Sequence, residues 1–159
     1  FLGTNVEFAG KLYFSEAQAD RQVVKSLDLS TMLVEEVFSD DIIMAPAISP
    51  NGKSFAYTKY DGIYLYVLDE EVNYRLVDIP WFDNDNYDFA RFSETDLGND
   101  IPMASWSPDS EKIVYSKLII FTDATGEDLY LHNIYVHDIS TGETNLLIRK
   151  ARNPYWILP

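Results

Sequence analysis

The chain has 159 residues, 47% of them hydrophobic and none of them cysteine, which is enough apolar material for one packed domain without disulfides. Twelve Lys and Arg stand against 26 Asp and Glu, a formal net charge of −14, so the molecule repels nucleic-acid phosphates and anionic lipid headgroups and a nucleic-acid role is disfavoured. No run approaches the roughly 20 apolar residues of a membrane-spanning helix, and the opening FLGTNVEFAGK lacks both the basic and the apolar region of a signal peptide.

The chain opens at Phe1 rather than Met, as a processed or trimmed polypeptide does, and Asn5 to Phe8 is its first short strand candidate. KLYFSE from Lys11, QVVKSLDLST and LVEEV follow, separated by polar stretches. A second group gives GKSFAYTKY, Asp61-Gly62, IYLYVLDEE and NYRLV. Asp-Gly between two alternating runs predicts a tight hairpin in which both turn residues take positive φ. A third group gives EKIVYSKLIIF, the longer connection TDATGED and then NIYVHDISTGETNLLI. Ile63 to Leu68 and Ile134 to Asp138 alternate with period 2. Glu16 to Lys25 and Asn86 to Thr95 each have room for a turn or two of helix, although neither sustains a period of 3.6.

These groups repeat one another over approximate units 5–40, 44–80 and 101–148. Gly10-Lys11-Leu12-Tyr13-Phe14 aligns with Gly52-Lys53-Ser54-Phe55-Ala56-Tyr57 and with Glu111-Lys112-Ile113-Val114-Tyr115. Leu27-Asp28-Leu29 aligns with Leu68-Asp69-Glu70 and with His137-Asp138-Ile139, which places Asp28, Asp69 and Asp138 at one repeated position. Lys11 and Lys53 are 42 residues apart and Lys53 and Lys112 are 59 apart, so the second unit carries an insertion. A turn also recurs, as Ser49-Pro50-Asn51-Gly52 and Ser107-Pro108-Asp109-Ser110, where Pro fixes φ and Asn or Gly takes the rarer dihedrals. Residues 153–159, ending Tyr155-Trp156-Ile157-Leu158-Pro159, read as the start of one more unit.

In Ile63-Tyr64-Leu65-Tyr66-Val67-Leu68 both sets of alternating side chains are apolar or aromatic, so such a sheet needs a neighbour on each face. Four-stranded repeats of about 40 to 45 residues that stack face to face around a channel are propeller blades. The predicted fold is therefore all-β, a β-propeller of four-stranded antiparallel blades seen as a partial array of about three repeats. Because four blades are the usual minimum for a ring, further blades, of this chain or of another, are expected. The run Ser-Pro-Asn/Asp-Gly/Ser followed by Lys, two apolar residues and Tyr, and then Ile-Tyr, two apolar residues and Asp, resembles the WD-like repeats of TolB-type β-propellers. It also resembles the propeller domains of prolyl-oligopeptidase-like serine peptidases. It is carried by Ser49, Pro50, Asn51, Gly52, Lys53, Phe55, Ala56, Tyr57, Ile63, Tyr64, Val67 and Asp69, and again by Ser107, Pro108, Asp109, Lys112, Ile113, Val114, Tyr115, Ile134, Tyr135, Val136 and Asp138. The first unit has no visible Ser-Pro-Asp turn, Ser110 stands in place of the usual Gly, and Glu70 and Glu71 replace the usual turn after Asp69.

Candidate chemistry is sparse. The insertion 81–100 is acidic and aromatic. Its Trp81, Phe82, Tyr87 and Phe89 are candidates for partner binding or for pinning the loop to the body. Asp83, Asp85 and Asp88 offer oxygen ligands for calcium, against the simpler reading of a solvated acidic loop. Asp123 to Asp128 is a second oxygen-rich segment that reads as an elongated hairpin connection. His132 and His137 lie five apart on one strand and point to opposite faces, so they form no paired zinc site. Ser49, Ser107 and Ser140 sit in turns and no Gly-x-Ser-x-Gly elbow occurs. Glu35, Glu36, Asp40, Asp41, Glu70 and Glu71 read as a solvated rim, and Trp106, Tyr57 and Tyr115 as packing between blades.

The function this predicts is a noncatalytic binding or scaffold module for a protein or peptide, with no cofactor. One alternative is the substrate-gating propeller of a larger serine peptidase or other hydrolase. Another, resting on Trp81, Trp156 and the tyrosines, is a propeller for carbohydrate or small ligands. The TolB-type resemblance implies export to the periplasm or cell surface.

Overall fold

The structure is a computed structural model and describes residues 6–59, 61–78, 104–122, 125–126 and 128–156. Among these, 12 strands form three four-stranded antiparallel sheets, each in sequential order. The first holds β1 (Val6–Phe8), β2 (Lys11–Ala17), β3 (Gln22–Asp28) and β4 (Val34–Asp40). The second holds β5 (Met44–Ile48), β6 (Ser54–Lys59), β7 (Gly62–Val67) and β8 (Val72–Asp78). The third holds β9 (Ser105–Trp106), β10 (Lys112–Thr122), β11 (Asp128–Asp138) and β12 (Thr144–Ile148). β5 touches both β1 and β9, so the first strands gather on the inner side, while β4, β8 and β12 lie outermost, exposed over their first residues in β4 and β8 and throughout in β12. The suggested helical turns in 16–25 are absent: β2 runs to Ala17 and β3 begins at Gln22.

The turns set the register. Ser49 N–H bonds the Ser54 carbonyl and Ser107 N–H bonds the Lys112 carbonyl. The Ser49 hydroxyl accepts from Ser54 N–H at 3.0 Å, and the Ser107 hydroxyl accepts from Lys112 N–H at 2.8 Å. Lys112 therefore corresponds to Ser54 and not to Lys53, a shift of one residue from the alignment of lysines. Gly52 and Ser110 then fall together, at φ of 72° and 64°, so Ser110 adopts the left-handed conformation that glycine supplies one repeat earlier. In the first sheet Phe8 pairs with Lys11, and Ala9 and Gly10, both with positive φ, make a two-residue turn instead.

The aspartate correspondence also changes. Leu29, Leu68 and Ile139 donate to the carbonyls of Gly10, Lys53 and Glu111, which aligns Asp28 and Asp138 with Val67 and leaves Asp69 two positions beyond. Asp28 and Asp138 do build one turn: each Oδ1 accepts from the serine two residues on and from the following threonine N–H. The hairpin at Asp61 forms, but Lys59 pairs with Gly62, so Gly62 is already in β7 and is no turn residue. Gly62 is needed for another reason, because a Cβ there would meet the backbone carbonyl of Val77.

Alternation distributes the core. From the second sheet, Phe55, Tyr57 and Tyr66 join Val24 and Phe38 of the first, while Ala56, Ile63, Leu65 and Val77 join Trp106, Ile113 and Tyr115 of the third. The middle sheet is thus buried on both faces, as its apolar strands required. Tyr57, Tyr115, Phe55, Ile63 and Ile113 are among the largest fully buried side chains, and the Trp106 indole N–H reaches across the seam to the Ala47 carbonyl at 2.9 Å.

Candidate functional site

Among the described residues, charged and aromatic groups converge where the first sheet meets the second. Asp40 closes β4 and Lys59 closes β6, so stacking the sheets brings both strand ends together. Lys59 Nζ lies 2.8 Å from Asp40 Oδ1 and also bonds Asp41. The Tyr57 hydroxyl donates to Asp40 Oδ2 at 2.7 Å, and the ammonium stands 5.1 Å from the Tyr64 ring centre. Asp40 is only 16% exposed, so this residue is no solvated rim. Glu35 and Glu36 do remain at the rim, 3.5 Å from Lys11 and Arg21 respectively.

The electrostatics make this network a clamp. Burial opposes the charge on Lys59, yet its bonds to Asp40 and Asp41 leave its pKa raised. Hydrogen bonding with Asp40, and then with Lys59, holds Asp41 down at about 2. Burial, reinforced by the bond to Asp40, pushes the Tyr57 phenol up. A lysine held protonated is neither base nor nucleophile, and a carboxylate held ionised at neutral pH is no general acid.

The remaining candidates are equally committed to structure. Ser49 donates to Asn51 Oδ1 at 2.7 Å, Ser107 donates to Asp109, and Ser140 donates to Asp138 at 2.7 Å. None faces a histidine in these bonds, so none is an activated nucleophile. His137 pairs across the sheet with Ile113 and His132 with Leu118, which puts them on opposite faces as expected. His137 is buried with Nδ1 2.8 Å from Thr144 Oγ1, and burial lowers its pKa. Trp106, Tyr57 and Tyr115 are seam residues, as the sequence indicated.

Among the described residues no three His, Asp or Glu side chains converge in a way that would hold a metal, and no helix is long and apolar enough to cross a membrane. Asp83, Asp85, Asp88, Trp81, Phe82, Tyr87 and Phe89 lie outside the described residues. Sequence reasoning missed the Lys59 clamp. Its signal was a lysine ending one apolar strand and an Asp-Asp pair ending another, which gain meaning only once the strands are stacked.

No family model and no curated protein matches this sequence, whereas solved structures do. The tricorn protease superposes with a TM-score of 0.61 at 15% identity, over 87% of this chain and 12% of that one. An oligogalacturonate lyase in complex with manganese gives 0.60 at 15% identity, over 89% of this chain and 37% of the other. A TolB described as putative, from Agrobacterium tumefaciens, gives 0.56 at 12% identity, over 88% and 46%. The chain spans less than half the length of each of these proteins. A protease, a lyase and a TolB share the architecture, so the likeness carries fold and leaves chemistry open. The chain has the fold of a partial β-propeller of about three blades, similar in architecture to those of TolB and the tricorn protease.

Proposed function

We propose that these blades are a noncatalytic propeller that governs access to an active site built elsewhere, in a larger peptidase. The observation that carries this reading is the commitment of Ser49, Ser107, Ser140, His137 and Asp40 to turns and seams, around an inner side where β5 meets β1 and β9. Peptidases recur among the solved structures of like fold, and the repeat residues resemble oligopeptidase propellers; together these support a peptidase parent. Export to the periplasm or surface belongs to the same reading through the TolB-type resemblance.

The test is hydrolysis of peptides of graded length by the natural protein that contains these blades. The expected result is cleavage of short peptides with rejection of long ones, and relaxed rejection when the Lys59 clamp is removed by Lys59→Met. Absence of any peptidase activity overturns this reading and favours a protein- or peptide-binding scaffold. That alternative draws on the exposed apolar side chains of β12, Leu146, Leu147 and Ile148.

A further inference from the structure

The outer strand of each of the three sheets carries the same irregularity. Val24 pairs with Phe38 and Lys25 with Glu36, so Val37 between them has no partner across the pair. Leu76 is skipped in the same way between Arg75 and Val77, and Leu147 between Leu146 and Ile148. Val24, Ile63 and Ile134, beside which the skips occur, each stand four residues before the residue that pairs with Lys11, Ser54 or Lys112. The bulge therefore occupies one repeat position three times, and its extra residue is each time a branched apolar one. A bulge retained at one place in sheets of differing sequence is a working feature of the fold.

What it does is to change which way side chains face. Successive residues of a regular strand point to opposite sides of the sheet. Across the bulge two consecutive side chains point the same way. Val37 and Phe38 both pack into the core between the first and second sheets, and Leu76 and Val77 both pack into the core between the second and third. Before the bulge each of these strands is exposed, from Val34 to Glu36 and from Val72 to Arg75. The bulge marks where the outer strand turns onto its successor, and it doubles the side chains offered there.

The extra material is needed because the sheets fan apart. β5 touches β1 and β9 on the inner side, whereas among the described residues no contact as extensive joins β4 to β8 or β8 to β12. Side chains of the outer strand span the gap to the middle strands of the next sheet: the Phe38 ring stacks on Tyr66 at 4.3 Å and lies 5.4 Å from that of Tyr57. Protein interiors pack with few voids, so a gap that widens outward takes most volume at its outer end.

We propose that the bulged residue is a wedge that sets the angle between one sheet and the next, Val37 at the first seam and Leu76 at the second. Packed beside Phe38 or Val77, it holds the outer strands apart while the inner strands stay in contact, and the added twist of the bulge turns the strand end toward its successor. Residue size at one position per sheet thus controls the spacing of the blades. The inference is independent of the peptidase reading, since it concerns the angle between sheets and not hydrolysis.

Distances between paired spin labels test it, because a chain without cysteine takes labels only where cysteines are introduced. Asn73→Cys on β8 with Asn145→Cys on β12 reports the second seam, and Glu35→Cys on β4 with Asn73→Cys reports the first; all three positions are exposed. Deleting Leu76 removes the bulge while leaving Arg75 and Val77 opposite Tyr64 and Ile63. The expected result is a shorter distance across the second seam and an unchanged one across the first, and deleting Val37 should do the reverse. Leu76→Ala and Leu76→Phe grade the wedge by size, shortening and lengthening the distance across the second seam, and they decide the question if the deleted chain does not fold. Melting curves check that each labelled variant is folded. A distance that ignores both the deletion and the size series, that lengthens when the wedge is made smaller, or that changes alike across both seams overturns the proposal.

Discussion

His137 shows how a single residue's surroundings decide its chemistry. The alternation of β11 turns it inward beside Ile113, and Thr144 on β12 supplies one hydrogen-bond partner. Burial therefore favours the neutral ring and lowers its pKa from the ordinary 6.5. The folded state binds this proton less readily than the unfolded chain, so the stability it confers is complete above about pH 6.5 and is lost as pH falls through the lower folded value. Thermal melting between pH 7.5 and pH 5 should show a downward slope that His137→Gln, which can still bond Thr144, reduces. An identical slope in the variant removes His137 as its source. The opposite faces of His132 and His137 were legible from their spacing. The lysine clamp was not, because Asp40 and Lys59 acquire a shared environment only through stacking.

At the scale of elements, strands and their order followed from alternation, while register depended on bonds that residue identity hides. Lys53 and Lys112 look equivalent by chemistry, yet the hydroxyls of Ser49 and Ser107 fix Ser54 and Lys112 as the matched pair. Asp61-Gly62 has the composition of a turn, and a turn is there, but Gly62 serves the sheet. A Cβ on it would meet the Val77 carbonyl and lie 3.0 Å from Arg75 Nε. Backbone yields far less readily than a flexible side-chain end, so Gly62→Ala should cost about 1–3 kcal/mol, the range of overpacking in a tight interior. Denaturant unfolding measures it, and hydrogen exchange should show the loosening concentrated in β7 and β8. A neutral substitution would mean that β8 shifts freely past β7, contrary to the paired register from Gly62 to Val67.

For the whole molecule, stability resides in seams, since each sheet buries its faces only against its neighbours. The two seams are built differently. The first adds a charged clamp to its aromatic packing, with Phe38 stacked on Tyr66 at 4.3 Å between ring centres. The second rests on Trp106, 7% exposed, which packs with Ile113 and Tyr115 and binds the Ala47 carbonyl. Trp106→Ala should therefore cost about 3–5 kcal/mol, the range for truncating a large buried aromatic. Its effect should also be local. Amide exchange should accelerate at Ile63 and Leu65, which face the third sheet, more than at Val24 of the first sheet. Equal acceleration at all three would show that the sheets open as one cooperative unit and not seam by seam, and an unchanged melting curve would remove Trp106 from the core altogether.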